Sequence, residues 1–408
     1  MNKNIIIWVF FLFININCWT SKDSNQDSIS ENIVENNDLE TDTIKEKNIS
    51  LQEIHDAEEV EIDVFHTNLA DLLSGKRNNY FDTIIKIDYD FWKGFSEDID
   101  KDFNNIKEKR LSRILEWSKE SFINKDLDTA LLFYPFSGPD FLHAYYLYPN
   151  ANEYLLLALE DVGSIPNLNK IGGLGLEKYI ENVNLFLRDI YLRSYFITKH
   201  MKLDIKKEEK ISGVLPSLYW FLSRTDHQIV DVEFFTVGND GNLSFSDFDL
   251  ESTNDGVRFH FVKQGSDKIK KLTYLSCDIS DDGFIEENPG LLIYLNSLRS
   301  CNTFVKSASY LMHYRSFETI RTLILDKSVT LFQDDTGIPY KYVNNENWTV
   351  KCYGKYVKPI KDFEKNHDIL YQKDLEVRYK KGSTKLPFSL GYHWRDASEQ
   401  NQMLMIRN

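Results

Sequence analysis

Ser137, Asp140 and His143 fall within seven residues, in Pro135-Phe-Ser-Gly-Pro-Asp-Phe-Leu-His143, and their types are those of a hydrolytic triad. A serine attacks when a histidine takes its proton and a carboxylate orients that histidine. Three side chains in one turn cannot divide those roles, and the Gly-x-Ser-x-Gly elbow is replaced by Pro135-Phe-Ser137-Gly-Pro139. Asp140 is better placed to cap the helix it begins. The loop still ends a strand, and α/β sheets bind ligands at such ends. Ser137, Gly138 and Asp140 are therefore candidate ligand-binding residues.

A second polar group, Lys306, Ser307, Ser309, His313 and Arg315, leads into a helix, and Asp334-Asp335 follows the next strand. Both sit at expected strand ends and could face the Ser137 loop across a sheet, with Lys306 in the shared pocket. Adjacent carboxylates on a strand point opposite ways, so Asp334 and Asp335 are expected to be solvated. Cys277, Cys301 and Cys352 are 24 and 51 residues apart, which matches no zinc spacing. One disulfide with a free thiol and three buried thiols are both open. His200, His227 and His260 have no ligand spacing. Asp240-x-Asn242-x-Ser244-x-Ser246 with Glu251 imitates a calcium loop, but Phe245 stands where the sharp turn needs Gly, so a hairpin is expected. No metal site is expected.

The elements that must position these residues read as follows. Asp71 to Lys125 is mainly helical, with Phe91, Trp92, Phe95 and Ile99 at helical spacing. Thr129–Tyr134 is a short strand stopped by Pro135 to Asp140, Phe141–Tyr148 a two-turn helix, and Glu153–Leu159 a second buried strand ending at Glu160. Strand, tight loop, helix and strand in that space make one βαβ unit with parallel pairing. Gly175–Phe196 is an amphipathic helix and Pro216–Leu222 begins another. Ile229–Val237, Gly256–Lys263 and Leu272–Ile279 form an antiparallel meander. Leu291–Leu298 and Ser316–Leu325 are helices beside the short strands Thr303–Ser307 and Val329–Phe332. Trp348–Tyr356 is a last edge strand. Lys373–Asn408 reads as polar and loop-like, with Gly391 to Trp394 as a packed turn. The fold class is α/β, with a mixed sheet, flanking helices and the meander.

Across 408 residues the formal charge is −15, with 42% hydrophobic and 14% aromatic residues. That composition supports a substantial core, and an acidic chain without clustered Lys and Arg is not built for nucleic acid. Met1–Asn4 carries one Lys before the apolar run Ile5 to Ile14, which is too short to span a bilayer, and Cys18 follows at once. This start resembles a bacterial lipoprotein signal, which implies lipidation of Cys18. From Trp19 to Ile62 there are 13 Asp or Glu against 3 Lys, leaving −6 over Asp63–Asn408. Such a segment buries too little to offset its ordering entropy, so it is expected to be a disordered tether. The organisation expected is a signal at 1–18, a tether at 19–62, a helical region at 63–125, an α/β domain at 126–395 and a tail at 396–408.

Phe133-Tyr-Pro-Phe-Ser-Gly-Pro-Asp140, with Tyr154 to Glu160, resembles uncharacterised bacterial exported proteins carrying a Tyr-Pro-Phe-Ser-Gly-Pro-Asp signature. The likeness extends through Lys306-Ser-Ala-Ser-Tyr-Leu and Gln333-Asp-Asp-Thr-Gly-Ile-Pro-Tyr340 and implies no established activity. More remotely, the βαβ unit is similar to the start of the class I S-adenosylmethionine methyltransferase fold, a Rossmann-like fold. That resemblance implies that the Gly138 loop cradles a cofactor and that Glu160, about 22 residues on, binds its ribose hydroxyls. In place of Gly-x-Gly-x-Gly the loop holds Pro135, Ser137, Gly138 and Pro139, and two prolines remove two N–H donors.

Two functions follow as expectations. One is a noncatalytic ligand- or partner-binding lipoprotein, tethered to a bacterial cell membrane or outer membrane and facing the periplasm or exterior. The other is an exported hydrolase or methyltransferase-like transferase using Ser137–Asp140 and Glu160. No cofactor is expected outside the cytoplasm, S-adenosylmethionine entering only if the fold resemblance is functional. The candidate ligand-binding residues are Ser137, Gly138, Asp140, Glu160 and Lys306, with Cys18 for lipidation.

Overall fold

The computed structural model describes residues 60–76, 79–81, 87–122, 131–171, 173–205, 211–246, 254–366, 370–396 and 401–408. The signal, Cys18 and all of the tether except 60–62 lie outside the described residues.

Three helices come first: α1 Val64–Leu73, α2 Tyr89–Ile106 and, after a π turn, α3 Ser112–Ser121. Asp63 and Asp88 cap α1 and α2 by accepting from the third residue on. The βαβ unit forms as expected, with β1 Leu131–Pro135, α4 Phe141–Leu147 and β2 Glu153–Ala158. Every residue of β1 and α4 is buried. A strand covered on both faces reads as a continuous apolar run, which is how Leu131-Leu-Phe-Tyr announces itself.

Next come α5 Gly173–Arg193, α6 Thr198–Ile205 and α7 Leu215–Arg224. Then follow β3 His227–Val237, β4 Leu243–Ser246, β5 Gly256–Lys263 and β6 Lys270–Ser276, the meander. The hairpin between β3 and β4 turns at Gly241 (φ +79°), and Asp240 accepts from the Asn242 amide at 3.0 Å. That local bond occupies the carboxylate the calcium pattern would use; Glu251 lies outside the described residues. The last third supplies α8 Pro289–Ser297, β7 Cys301–Val305, α9 Glu318–Lys327, β8 Ser328–Gln333, β9 Trp348–Tyr353, α10 Lys373–Lys380 and β10 Gln402–Arg407.

All ten strands join one mixed sheet in the order β4-β3-β5-β6-β2-β1-β7-β8-β10-β9. The middle is parallel from β6 through β2, β1 and β7 to β8. The meander joins on one side, where β5 runs antiparallel to β6. On the other side β10 runs antiparallel to both β8 and β9. Alternate residues face opposite layers. Leu132, Tyr134 and Leu156 join the core under α1 to α7, while Leu131, Phe133 and Leu155 join the one under α8, α9 and α10. Tertiary packing therefore ties α1, α2 and α3 into the same core as the sheet.

The C-terminal segment corrects the sequence reading. Residues 373–380 are helical, and 402–407, expected as part of a polar tail, are a strand inside the sheet. Met403, Leu404 and Met405 are fully buried. The signal was the apolar run Met403 to Ile406, too short to stand out from its polar surroundings.

Candidate functional site

Because the chain moves from β1 to β2 on one side and later to β7 on the other, the carboxyl ends of β1 and β7 diverge into a crevice, the usual ligand site of a wound sheet. A cavity of about 390 Å³ lies there. Ser137 and Gly138 from the β1 loop, Glu160 after β2, Asp278 after β6 and Lys306 after β7 all line it.

The β1 loop is pinned by its own backbone. The Ser137 amide donates to the Leu157 carbonyl at 3.0 Å, and the Ser137 hydroxyl donates to the same oxygen at 3.2 Å. Gly138 has φ +55°, a left-handed conformation that costs glycine least, and an added Cβ would lie 3.4 Å from Phe196. Asp140 caps α4, accepting from the His143 amide at 3.1 Å.

Asp140 is also the centre of a buried polar knot. The Tyr134 hydroxyl donates to it at 3.1 Å, the Lys306 ammonium at 2.6 Å, and His143 Nδ1 lies 2.9 Å away. Burial pushes the carboxyl up, but the cationic forms of its His143 and Lys306 partners outweigh that and hold it at about 2. Burial drags His143 down to about 4 despite Asp140, so the ring is neutral at pH 7 and Lys306 is the working counter-charge. His143 Nδ1 therefore carries the proton and donates it to Asp140. Lys306 also donates to the Ser194 carbonyl, and burial lowers its pKa against the pull of Asp140.

Beside the knot lies a buried acid pair, which corrects the expectation of solvated carboxylates. Asp334 and Asp335 are 3% and 1% exposed. They are not on the strand but in the turn after it, where both side chains fold inward. Asp334 accepts from the Ser307 amide at 2.9 Å and from Thr336, and Asp335 accepts from the Tyr310 hydroxyl at 2.7 Å. Burial pushes both carboxyls up to about 6, the charge of Asp335 adding to the effect at Asp334.

Left-handed backbone gathers around the same space. The described non-glycine residues with positive φ are Phe136, Ser194, Asp226, Ser307, Ser309 and Tyr310. Phe136, Ser307 and Ser309 line the cavity, Ser194 braces its wall through Lys306, and Tyr310 bonds the buried Asp335. Each such residue is strained by about 1–2 kcal/mol, and strain of this kind collects at functional sites.

The structure thus brings four of the five ligand-binding candidates, Ser137, Gly138, Glu160 and Lys306, to one cavity. Asp140 is placed behind them, as the anchor of Lys306. No hydrogen bond joins Ser137 to His143; the serine is held by Leu157 and the histidine by Asp140, so the triad types are not arranged as a triad. Sequence reasoning missed Ser194, Asp278 and the aromatic residues Tyr195, Phe363 and Tyr392, which also line or brace the cavity. They reach it from distant segments, and no local pattern announces them. His200, read as incidental, pairs with Asp189 at 2.6 Å, and His260 with Glu233 at 2.8 Å. Cys277, Cys301 and Cys352 are free thiols, with Cys301 and Cys352 buried.

Among the described residues no group of three or more His, Cys, Asp or Glu is arranged to hold a metal, and no helix is long and apolar enough to cross a membrane. Comparison with protein-family models, with curated proteins and with solved structures finds no match to this chain.

Proposed function

We propose that this protein binds a small molecule in the crevice above β1, β2, β6 and β7, and that the ligand is a nucleoside-type molecule without phosphate, of the S-adenosylmethionine class. The observation that carries this reading is Glu160, a buried carboxylate at the end of β2 that lines the switch-point cavity. An acid in that place accepts hydrogen bonds from ribose hydroxyls. The sheet order supports it: the parallel strands follow the wound order third-second-first-fourth-fifth, and a reversed final strand enters beside the fifth. The class I methyltransferase sheet has this order, which supports carrying the resemblance read in the βαβ unit into this proposal.

Phosphate is disfavoured by charge. In dinucleotide-binding folds the helix after β1 holds the pyrophosphate on its free N–H groups. Here the start of α4 is capped by Asp140, an ionised carboxylate, and Pro135 and Pro139 remove two further donors. A ligand carrying no anion at that point is the better fit. Among the described residues no base hydrogen-bonds to Ser137, whose hydroxyl is taken by the Leu157 carbonyl, so hydrolysis through it is disfavoured.

Methyl transfer is the second reading, and the sheet order favours it. The pattern around Cys18 supports a protein tethered at the bacterial envelope; on that reading it is a binding protein there.

Isothermal titration with S-adenosylmethionine and S-adenosylhomocysteine tests the proposal. Micromolar binding is expected, weakened at least tenfold by Glu160→Gln. Absence of heat with both molecules at millimolar concentration, or binding indifferent to Glu160→Gln, overturns it.

A further inference from the structure

The outer wall of the cavity is aromatic and acidic. Tyr195 follows the end of α5, Phe363 comes from a 3-10 turn at Lys361–Asn366, and Tyr392 from the turn at Gly391–His393. All three line the cavity. The Tyr195 and Tyr392 rings are 4.9 Å apart at 85°, and those of Phe363 and Tyr392 are 5.4 Å apart at 48°. Rings meeting at such angles make a corner, not a flat stack. Asp362 lines the cavity beside them; burial raises the Tyr195 phenol, the hydrogen-bonded Arg193 guanidinium opposes that, and the charge of Asp362 adds a smaller upward push.

The charge of the lining points the same way. Its carboxylates are Glu160, Asp278 and Asp362, and its cations are Arg193, Lys199 and Lys306. Two of those cations are already matched by carboxylates set behind the wall: Arg193 by Asp189 at 3.4 Å and Lys306 by Asp140. Lys199 is exposed, where water screens it. Asp362 is exposed as well, so the negative balance left inside rests on Glu160 and Asp278, and the three rings supply aromatic surface next to Asp362.

We propose that Tyr195, Phe363, Tyr392 and Asp362 form a site for an organic cation, a tertiary or quaternary ammonium group. Aromatic rings attract such a group through their quadrupoles, and the carboxylate supplies a counter-charge without demanding an N–H donor. A phosphate or carboxylate ligand would meet ring faces and Asp362, both repulsive. This inference shares the cavity with the adenosyl reading but stands without it, because none of its residues is used there.

The test titrates the intact chain with choline and, in parallel, with 3,3-dimethylbutan-1-ol, which has the same shape and no charge. Choline is expected to bind at least about fivefold more tightly, the size of one cation–π contact. Phe363→Leu should weaken choline by a similar factor and Asp362→Asn by a smaller one, while Phe363→Tyr keeps the binding. Near-ultraviolet circular dichroism confirms that each variant is folded. Equal binding of the two probes, no choline binding at millimolar concentration, or a folded Phe363→Leu that binds choline normally overturns the inference. Choline binding without S-adenosylmethionine binding leaves this site standing and removes the adenosyl reading; the converse removes only this one.

Discussion

The ammonium of Lys306 lies 2.6 Å from Oδ2 of Asp140, although 166 residues separate them in the chain, and both side chains are almost wholly excluded from water. The contact joins the loop after β1 to the end of β7, the two strands whose divergence opens the crevice. It therefore fixes the width of the cavity floor as well as the charge there.

Breaking that pair should cost more than losing one hydrogen bond. Lys306→Met leaves an ionised Asp140 buried beside a neutral His143, with an expected loss of about 3–5 kcal/mol. Asp140→Asn keeps the helix cap, since Asn caps as well as Asp, but strands the ammonium. The double variant should lose clearly less than the two single losses added, because each charge is costly only while the other is gone. Urea unfolding of the four proteins measures this; simple additivity would mean that the two groups are not coupled.

The acid pair gives a pH signature of the opposite sign to Asp140. Asp334 and Asp335 are held near 6, above an unfolded carboxylate, so their protonated form is favoured by folding. Their contribution is complete below about pH 4 and is lost as pH rises through 6. Buried His143 and His313, both pulled down to about 4 by burial, act the other way and gain stability over the interval from 4 to 6.5. The whole-protein profile mixes the two, so the measurement is a difference. Asp335→Asn should gain stability relative to the natural chain as pH goes from 4 to 7. A difference independent of pH would show that the pair does not titrate there.

Two glycine substitutions should have opposite signs. At Gly391 φ is +67°, and an added Cβ would stand 2.5 Å from an Asp334 carboxylate oxygen. Gly391→Ala is expected to lose more than about 2 kcal/mol, from the left-handed backbone and the clash together. Gly94 lies inside α2 with nothing within 4 Å of the added carbon. Gly94→Ala should gain about 0.5–1 kcal/mol. Thermal unfolding of both variants checks the contrast, and a stabilised Gly391→Ala would contradict the placement of Asp334.

The parts of the fold that were legible have strong local signals. Leu131-Leu-Phe-Tyr, the prolines at 135 and 139 and the run from Tyr154 to Leu157 identified the βαβ unit, and a parallel strand buried on both faces leaves just such a trace. The site was half legible. Ser137, Gly138, Glu160 and Lys306 were found because strand ends in an α/β sheet collect ligands wherever they lie. Ser194 and Tyr195 arrive from the end of α5, and Phe363 and Tyr392 from irregular turns, so only the tertiary arrangement selects them. The acid pair was misjudged by assuming strand geometry: Gln333 ends β8, and both carboxylates sit in the following turn. The meander was read correctly as antiparallel, but nothing local says that β6 also pairs in parallel with β2.

The placement of β10 has a consequence for the order in which the molecule can be made. Its six residues lie between β8 and β9, so the partner that separates those strands is synthesised after both of them. Until residues 402–407 emerge from the ribosome, β8 has an open edge and β9 has no neighbour in the sheet. Helices and the β1–β2 unit can gather earlier, since domains fold from the N-terminal side as they appear. The three strands beyond β7 cannot close before residues 402–407 are made, and the nascent chain must carry that unpaired edge until β10 slides into the gap.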